Sequence, residues 1–242
     1  MDTARLLRAA GIGSGDEVVI SAFDGPGIAE AVLGLGARPV FADIDPYTYN
    51  LDVAHVASVV GPGTAAVVVG HRFGRPAPLG AVRELGERHG LLVLEHHEAG
   101  AERVVPTARA EGARYLDARL RGVVPPRGGV EHKYLRYVAR VPGNGRPDRD
   151  AFVRAARAKG IDCRIPVPTP LHRLPGFRRD VWLPATEDAV AETLALPLGD
   201  GLPKRELQRL VAVCNALGGC GCPRGAEERA GDVVRGRGGI GV

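Results

Sequence analysis

Four short apolar runs at similar intervals constrain this chain most: EVVIS (17–21), RPVFA (38–42), TAAVVV (64–69) and LLVLE (91–95). None alternates with polar residues, so each predicts a strand buried on both faces. Between them lie stretches of helical periodicity, GIAEAVLGLG (27–36), LDVAHVASVV (51–60) and LGAVRELGERHG (79–90). Parallel neighbours need a long crossover, which is usually a helix packed back on the sheet with right-handed sense. Gly36 and Gly90 stand where left-handed helix ends are expected. The pattern predicts an α/β fold, a layer of about four parallel strands with flanking helices.

The pattern changes after residue 102. TARAEGARYLDARLRG reads as a helix, HKYLRYVARV as an antiparallel strand with one wet face, and DRDAFVRAARAKG as a second helix. A short strand at CRIPV and helices near 185–194 and 203–217 complete a small C-terminal α+β domain. The expected organisation is an α/β layer over 1–105, a connecting helix over 106–122 and the small domain over 123–218. The Gly-, Arg- and Glu-rich stretch 219–242 is expected to be a disordered tail.

Composition removes several function classes. The net charge of +4 is modest and its basic residues are scattered, without the stripe or reading motif of a nucleic-acid binder. No run reaches the roughly 18 apolar residues of a membrane span. The first residues, MDTARLLRAAGIGSGDE, lack the apolar core of a secretory signal, so the cytoplasm is the expected location. Cys214, Cys220 and Cys222 lack the paired spacing of common zinc sites, and Cys214 falls at an apolar helical position.

Ligands of open α/β sheets bind beyond the carboxyl ends of the strands. Those ends carry Phe23 and Asp24, Asp43 and Asp45, Gly70 and His71, and Glu95 to Glu98. Imidazoles beside carboxylates suit proton transfer near neutral pH. His71, His96, His97 and Glu98 are therefore the candidate catalytic groups, with Phe23, Asp43, Glu95 and His172 as candidate substrate contacts. Asp43 and Asp45 have a second reading, because DIDPYTYNLD is a turn in which such side chains bond the local backbone. Neighbours in sequence point apart, so at most one of His96 and His97 should face a pocket. Adjacent histidines lack the i, i+4 spacing of a helical metal site, and no metal is expected.

Several ordered stretches resemble the DegT-type sugar aminotransferases: RAAGIGSGDEVVISAF, LGARPVFADIDPYTYNLD and HRFGRPAPLGAVRELGERHGLLVLE, then RDAFVRAARAKGIDCRIPVPTPLHRLPGF and ALPLGDGLPKRELQRLV. The likeness runs from about residue 5 to 217. It implies a shortened fold-type I architecture, and a family whose members use pyridoxal phosphate (PLP) and are typically dimers. It also places His172, in the PLH element, near the substrate side of the cleft.

Against that family four positions differ. The chain has three lysines, Lys133, Lys159 and Lys204, and none lies where the family's coenzyme-bearing lysine does. His96 stands where the family has the Asp that partners the pyridinium nitrogen, and Gly25 where it has an aromatic ring over the coenzyme. The phosphate-binding helix start falls before this chain's first residue. The differences predict no cofactor. The chain is then expected to be a coenzyme-independent acid/base enzyme acting on a polar small molecule in sugar or natural-product biosynthesis, as a homodimer or with a related aminotransferase. Two alternatives stand beside it: a non-catalytic partner of an active enzyme, and a PLP-dependent sugar aminotransferase.

Overall fold

Each apolar run is a strand in the computed structural model, which describes residues 3–97, 107–127, 131–141, 148–199 and 201–218. Strands β1 (Glu17–Ser21), β2 (Arg38–Ala42), β3 (Thr64–Gly70) and β4 (Leu92–His96) form a parallel sheet in the order β2-β1-β3-β4. Successive side chains alternate faces, and both faces are apolar. Val18, Ile20, Ala66 and Val68 turn to helices α1 (Thr3–Ala9) and α2 (Pro26–Gly34). Val19, Val67 and Val69 turn to α3 (Val53–Val59) and α4 (Leu79–His89). Each such aliphatic side chain, taken fully out of water, contributes about 1.5–3 kcal/mol.

Local signals set the helix ends. Asp52 accepts hydrogen bonds from Ala54 N and His55 N and caps α3. Gly90 adopts φ 68° and closes α4 in the left-handed region, as its position in the sequence predicts. No helix among the described residues is long and apolar enough to cross a membrane.

A second, two-stranded antiparallel sheet joins β5 (Tyr137–Arg140) to β6 (Thr193–Leu196). Around it pack α5 (Thr107–Arg119), α6 (Arg149–Ala158) and α8 (Lys204–Leu217). Asn215 ties α8 to the end of α5, accepting from Arg121 N and Gly122 N and donating to Arg119 O. Cys163 and Cys214 are buried free thiols in this core, and burial pushes them up to about 11 and about 12. Cys220, Cys222 and the expected tail lie outside the described residues.

Three expected elements differ. The helix near 185–194 is α7 (Pro184–Glu192), and β6 begins at once after it. Thr193 turns extended, donating its hydroxyl to Ala189 O, so that Leu194 and Leu196 reach the second core. CRIPV contributes a single bridge, Arg164 to Ala195, rather than a strand. HKYLRYVARV forms a strand only over its second half.

The two layers meet at Asp43, which is 5% exposed. Its carboxylate accepts from Ala185 N (3.0 Å), Thr186 N (2.8 Å) and the Thr186 hydroxyl (2.7 Å), capping α7 across 143 residues of sequence. Leu171, Phe177 and Leu183 then cover the α2 face of the first sheet. Replacing Asp43 by Ala strands buried donors at about 1–3 kcal/mol each. The D43A variant should melt roughly 10 °C lower in a thermal scan; an unchanged midpoint would mean water satisfies those donors.

His132 stacks on Tyr134 with centroids 4.1 Å apart, and its Nδ1 accepts Tyr134 N (2.9 Å). Burial, helped by the nearby Arg75 charge, lowers its pKa from 6.5 to about 4. The unfolded chain thus binds a proton that the folded one refuses between those values, and stability rises with pH wherever that holds. The contribution is full above pH 6.5 and is lost as pH falls towards about 4. In urea unfolding across that window, H132Q should flatten the pH slope; the wild-type slope persisting in H132Q would show the imidazole protonates in place.

Candidate functional site

The carboxyl ends of β3 and β4 bring three predicted residues together. Val69 pairs with Glu95 and Gly70 with His96, so His71 leaves its strand beside Glu95. His71 Nε2 lies 2.8 Å and His97 Nε2 3.2 Å from the same oxygen, Glu95 Oε1. The two imidazoles stack, 5.2 Å between centroids and 17° between planes. Arg83 of α4 stands 3.8 Å from Glu95 Oε2, a participant the sequence did not single out.

Strand alternation sorts the neighbouring histidines. Leu92 and Leu94 face the α1 side, and His96 continues that row, its Nδ1 bonded to the Thr3 hydroxyl at 2.8 Å. Glu95 takes the opposite face with Val93. His97, just past the strand, joins Glu95 there. The expected separation of the pair holds, with His97 in the cluster and His96 apart from it.

The remaining candidates are distributed through the packing. Asp43 caps α7, as described. Phe23 is fully buried and packs on Tyr49 and Phe73. His172 is fully buried, with Nε2 2.8 Å from Glu187 Oε1. Burial opposes ionisation of Glu187, but the hydrogen bonds of Arg173 and His172 outweigh it and hold its carboxyl below the usual range. Asp45 accepts from Tyr47 N and Thr48 N, the local turn role expected. Glu98 lies outside the described residues.

His71, Glu95 and His97 also present three potential metal ligands within 4.8 Å of one another. The surroundings of His71 weigh against that use. Its Nδ1 lies 2.9 Å from Ala77 N and accepts that hydrogen, so the ring's own proton sits on Nε2 and points at Glu95. A metal on Nε2 would put a proton on Nδ1, facing another N–H, whereas metal-bound imidazoles donate from their second nitrogen. Glu95 Oε1 accepts from His71 and lies beside His97, so the three groups form one polar cluster at the strand ends.

A solution test follows from that tautomer. Long-range ¹H–¹⁵N correlations of the imidazoles above neutral pH should show His71 neutral with its proton on Nε2. A proton on Nδ1 would overturn the assignment.

Comparison with known proteins sets this geometry in context. The sequence matches the DegT/DnrJ/EryC1/StrS aminotransferase family over residues 4–103 and 106–215. It is 40% identical over 109 residues to a pleiotropic regulatory protein of Geobacillus stearothermophilus, covering 45% of this chain and 27% of that one. It is 34% identical over 159 residues to the L-glutamine:2-deoxy-scyllo-inosose aminotransferase of Streptomyces paromomycinus, covering 65% of this chain and 35% of that one. The chain thus spans about a quarter to a third of the length of these curated relatives. Its fold matches the Bacillus subtilis NtdA structure with bound cofactor PMP, at TM-score 0.79 and 16% identity over 90% of this chain and 71% of that one.

These findings correct two expectations. A coenzyme-independent enzyme without a cofactor is overturned, because the family is one of aminotransferases and implies PLP. No feature of the described residues establishes that the coenzyme is lost.

Proposed function

The chain belongs to the DegT/DnrJ/EryC1/StrS aminotransferase family, and from that premise we propose that it serves PLP-dependent transfer of an amino group to a keto sugar or cyclitol. The substrate class follows the printed name of the Streptomyces paromomycinus relative. A dimer, of two such chains or with a related aminotransferase, belongs to the same reading.

The observation that carries it is the placement of Lys133. Lys159 ends α6 and Lys204 begins α8, both exposed on the second layer. Lys133 is exposed too, but its backbone N–H donates to Gly74 O at 2.7 Å, in the loop that follows β3. That contact brings the lysine to the carboxyl-end side of the first sheet. Gly74 makes it possible: it has φ 89°, and a Cβ there would lie 2.8 Å from Leu135.

The residues fit the coenzyme in the groups they offer: an exposed primary amine at Lys133, a strand-end carboxylate at Glu95, and the paired imidazoles of His71 and His97. When bound, PLP supplies an electron sink that lets an amino group change carbon atoms. Lys133 is the amine that would hold it. Glu95 Oε1 takes the Nε2 hydrogen of His71, and His97 Nε2 stands 3.2 Å from the same oxygen. His97 has 49% side-chain exposure, so its imidazole is open to exchange protons with a substrate carbon or with water. Glu95 holds the ring orientation while the proton moves.

PLP titration of the full chain, then borohydride reduction and peptide mass mapping, tests this reading. A saturable absorbance change and one adduct on Lys133, abolished in K133A, is the expected result. Adducts on Lys159 or Lys204, or no adduct, would overturn it.

A further inference from the structure

The first sheet has two edges, β2 and β4, and the sequence treats them differently. β2 carries Arg38 and Pro39, a charge and a residue without an N–H, both of which discourage further pairing. His172 also packs on its Phe41 ring, 6.4 Å between centroids. β4 has no such guard among the described residues. Leu91 to Leu94 is an apolar run without proline, glycine or charge. Every residue of β4 is half-buried, whereas β1 and β3 are almost wholly buried. Leu92 and Leu94 stand at the margin of one core, and Leu91 and Val93 at the margin of the other, so apolar surface remains on both faces. Among the described residues, the backbone of Leu92 to Glu95 pairs with β3 alone. Such an edge is a template for another strand.

We propose that β4 pairs antiparallel with β4 of a second copy of this chain, joining the two parallel sheets into one. A two-fold axis normal to the sheet places residues of like face opposite each other. Centred on Val93, it sets Leu92 against the partner's Leu94 and Leu94 against the partner's Leu92, all on the α1 side. The two Val93 side chains meet on the α4 side. Aliphatic cross-strand pairs of this kind stabilise a sheet. Charge favours the same arrangement. Glu95 comes opposite the partner's Leu91, at the strand end that follows Arg88 and His89, both exposed at the close of α4. Each edge thus has an acid at one end and bases at the other, and only an antiparallel copy matches them. A register centred on Glu95 would instead oppose the two carboxylates.

The pairing does not depend on the proposed reaction, and it is tested without it. Sedimentation velocity of the full chain over a wide concentration range measures the association. A five-residue edge falls at the low end of specific interfaces, so a dimer with a Kd of about 10 µM is expected. V93K should abolish it. R88E, at an exposed position, should weaken it about fivefold, and R88K should retain it. Val93 also packs on the core beneath, so a second reading uses the unaltered chain. In hydrogen exchange, amides of Leu92 to Glu95 that face away from β3 should slow as concentration rises, while those of Val40 to Ala42 should not.

A monomer at every concentration overturns the proposal. A dimer that V93K and R88E leave equally strong also overturns it and assigns the association to another surface. Protection of Leu92 to Glu95 that is the same at every concentration overturns it as well, because the edge is then covered within one chain. Failure of the lysine adduct, by contrast, concerns only the proposed reaction.

Discussion

A buried ion pair holds the strand-end loops in place. Arg72 and Asp24 are 7% and 6% exposed, with Arg72 Nη1 2.5 Å from Asp24 Oδ1. The guanidinium lies 5.6 Å from the Phe23 ring centroid and 4.7 Å from that of Phe73. Neither charge tolerates burial alone, and removing one partner of such a pair costs about 3–5 kcal/mol. The loop after β1 and the loop after β3 are therefore fixed to each other. Asn50, 1% exposed, adds the β2 loop: its Oδ1 accepts Arg72 N, and its Nδ2 donates to Pro76 O. Phe73 and Gly74 then take left-handed backbone, and the 132–136 segment settles against them.

Two chemical environments of opposite character follow from that anchoring. On one side of Arg72, His71 meets Glu95 and His97 in a cluster built around a carboxylate. On the other, Arg75, Arg136 and His132 line a shallow recess that holds no carboxylate among the described residues. A five-residue loop, 71–75, separates the two.

The first sheet was legible in the sequence because strands buried on both faces leave unbroken apolar runs, and Gly90 marked a helix end that only a left-handed residue makes. β6 was not. Thr193–Leu196 continues the apolar positions of α7 without a break, and its pairing with Tyr137–Arg140 is a contact between distant segments that local periodicity does not carry. The candidate site was partly legible. His71, Glu95 and His97 could be named because they end strands, and strand alternation then separates His97 from His96. Asp43 was ambiguous between turn and ligand, and its actual role, capping a helix more than 140 residues away, leaves no local trace. The weight placed on the missing family residues was misplaced, since a difference at a position is not the loss of a function.

The packing of Leu171, Phe177 and Leu183 against α2 has a consequence for how the chain is made. The parallel sheet has one face closed by a segment that follows it well along the chain. During synthesis β1 to β4 leave the ribosome before that segment, with Ile20, Phe41 and Val68 still awaiting part of their cover. At about 5–20 residues per second, that face stays unsealed for roughly ten seconds. Newborn chains are thus most open to chaperones, and to one another, in the interval before residue 183 emerges.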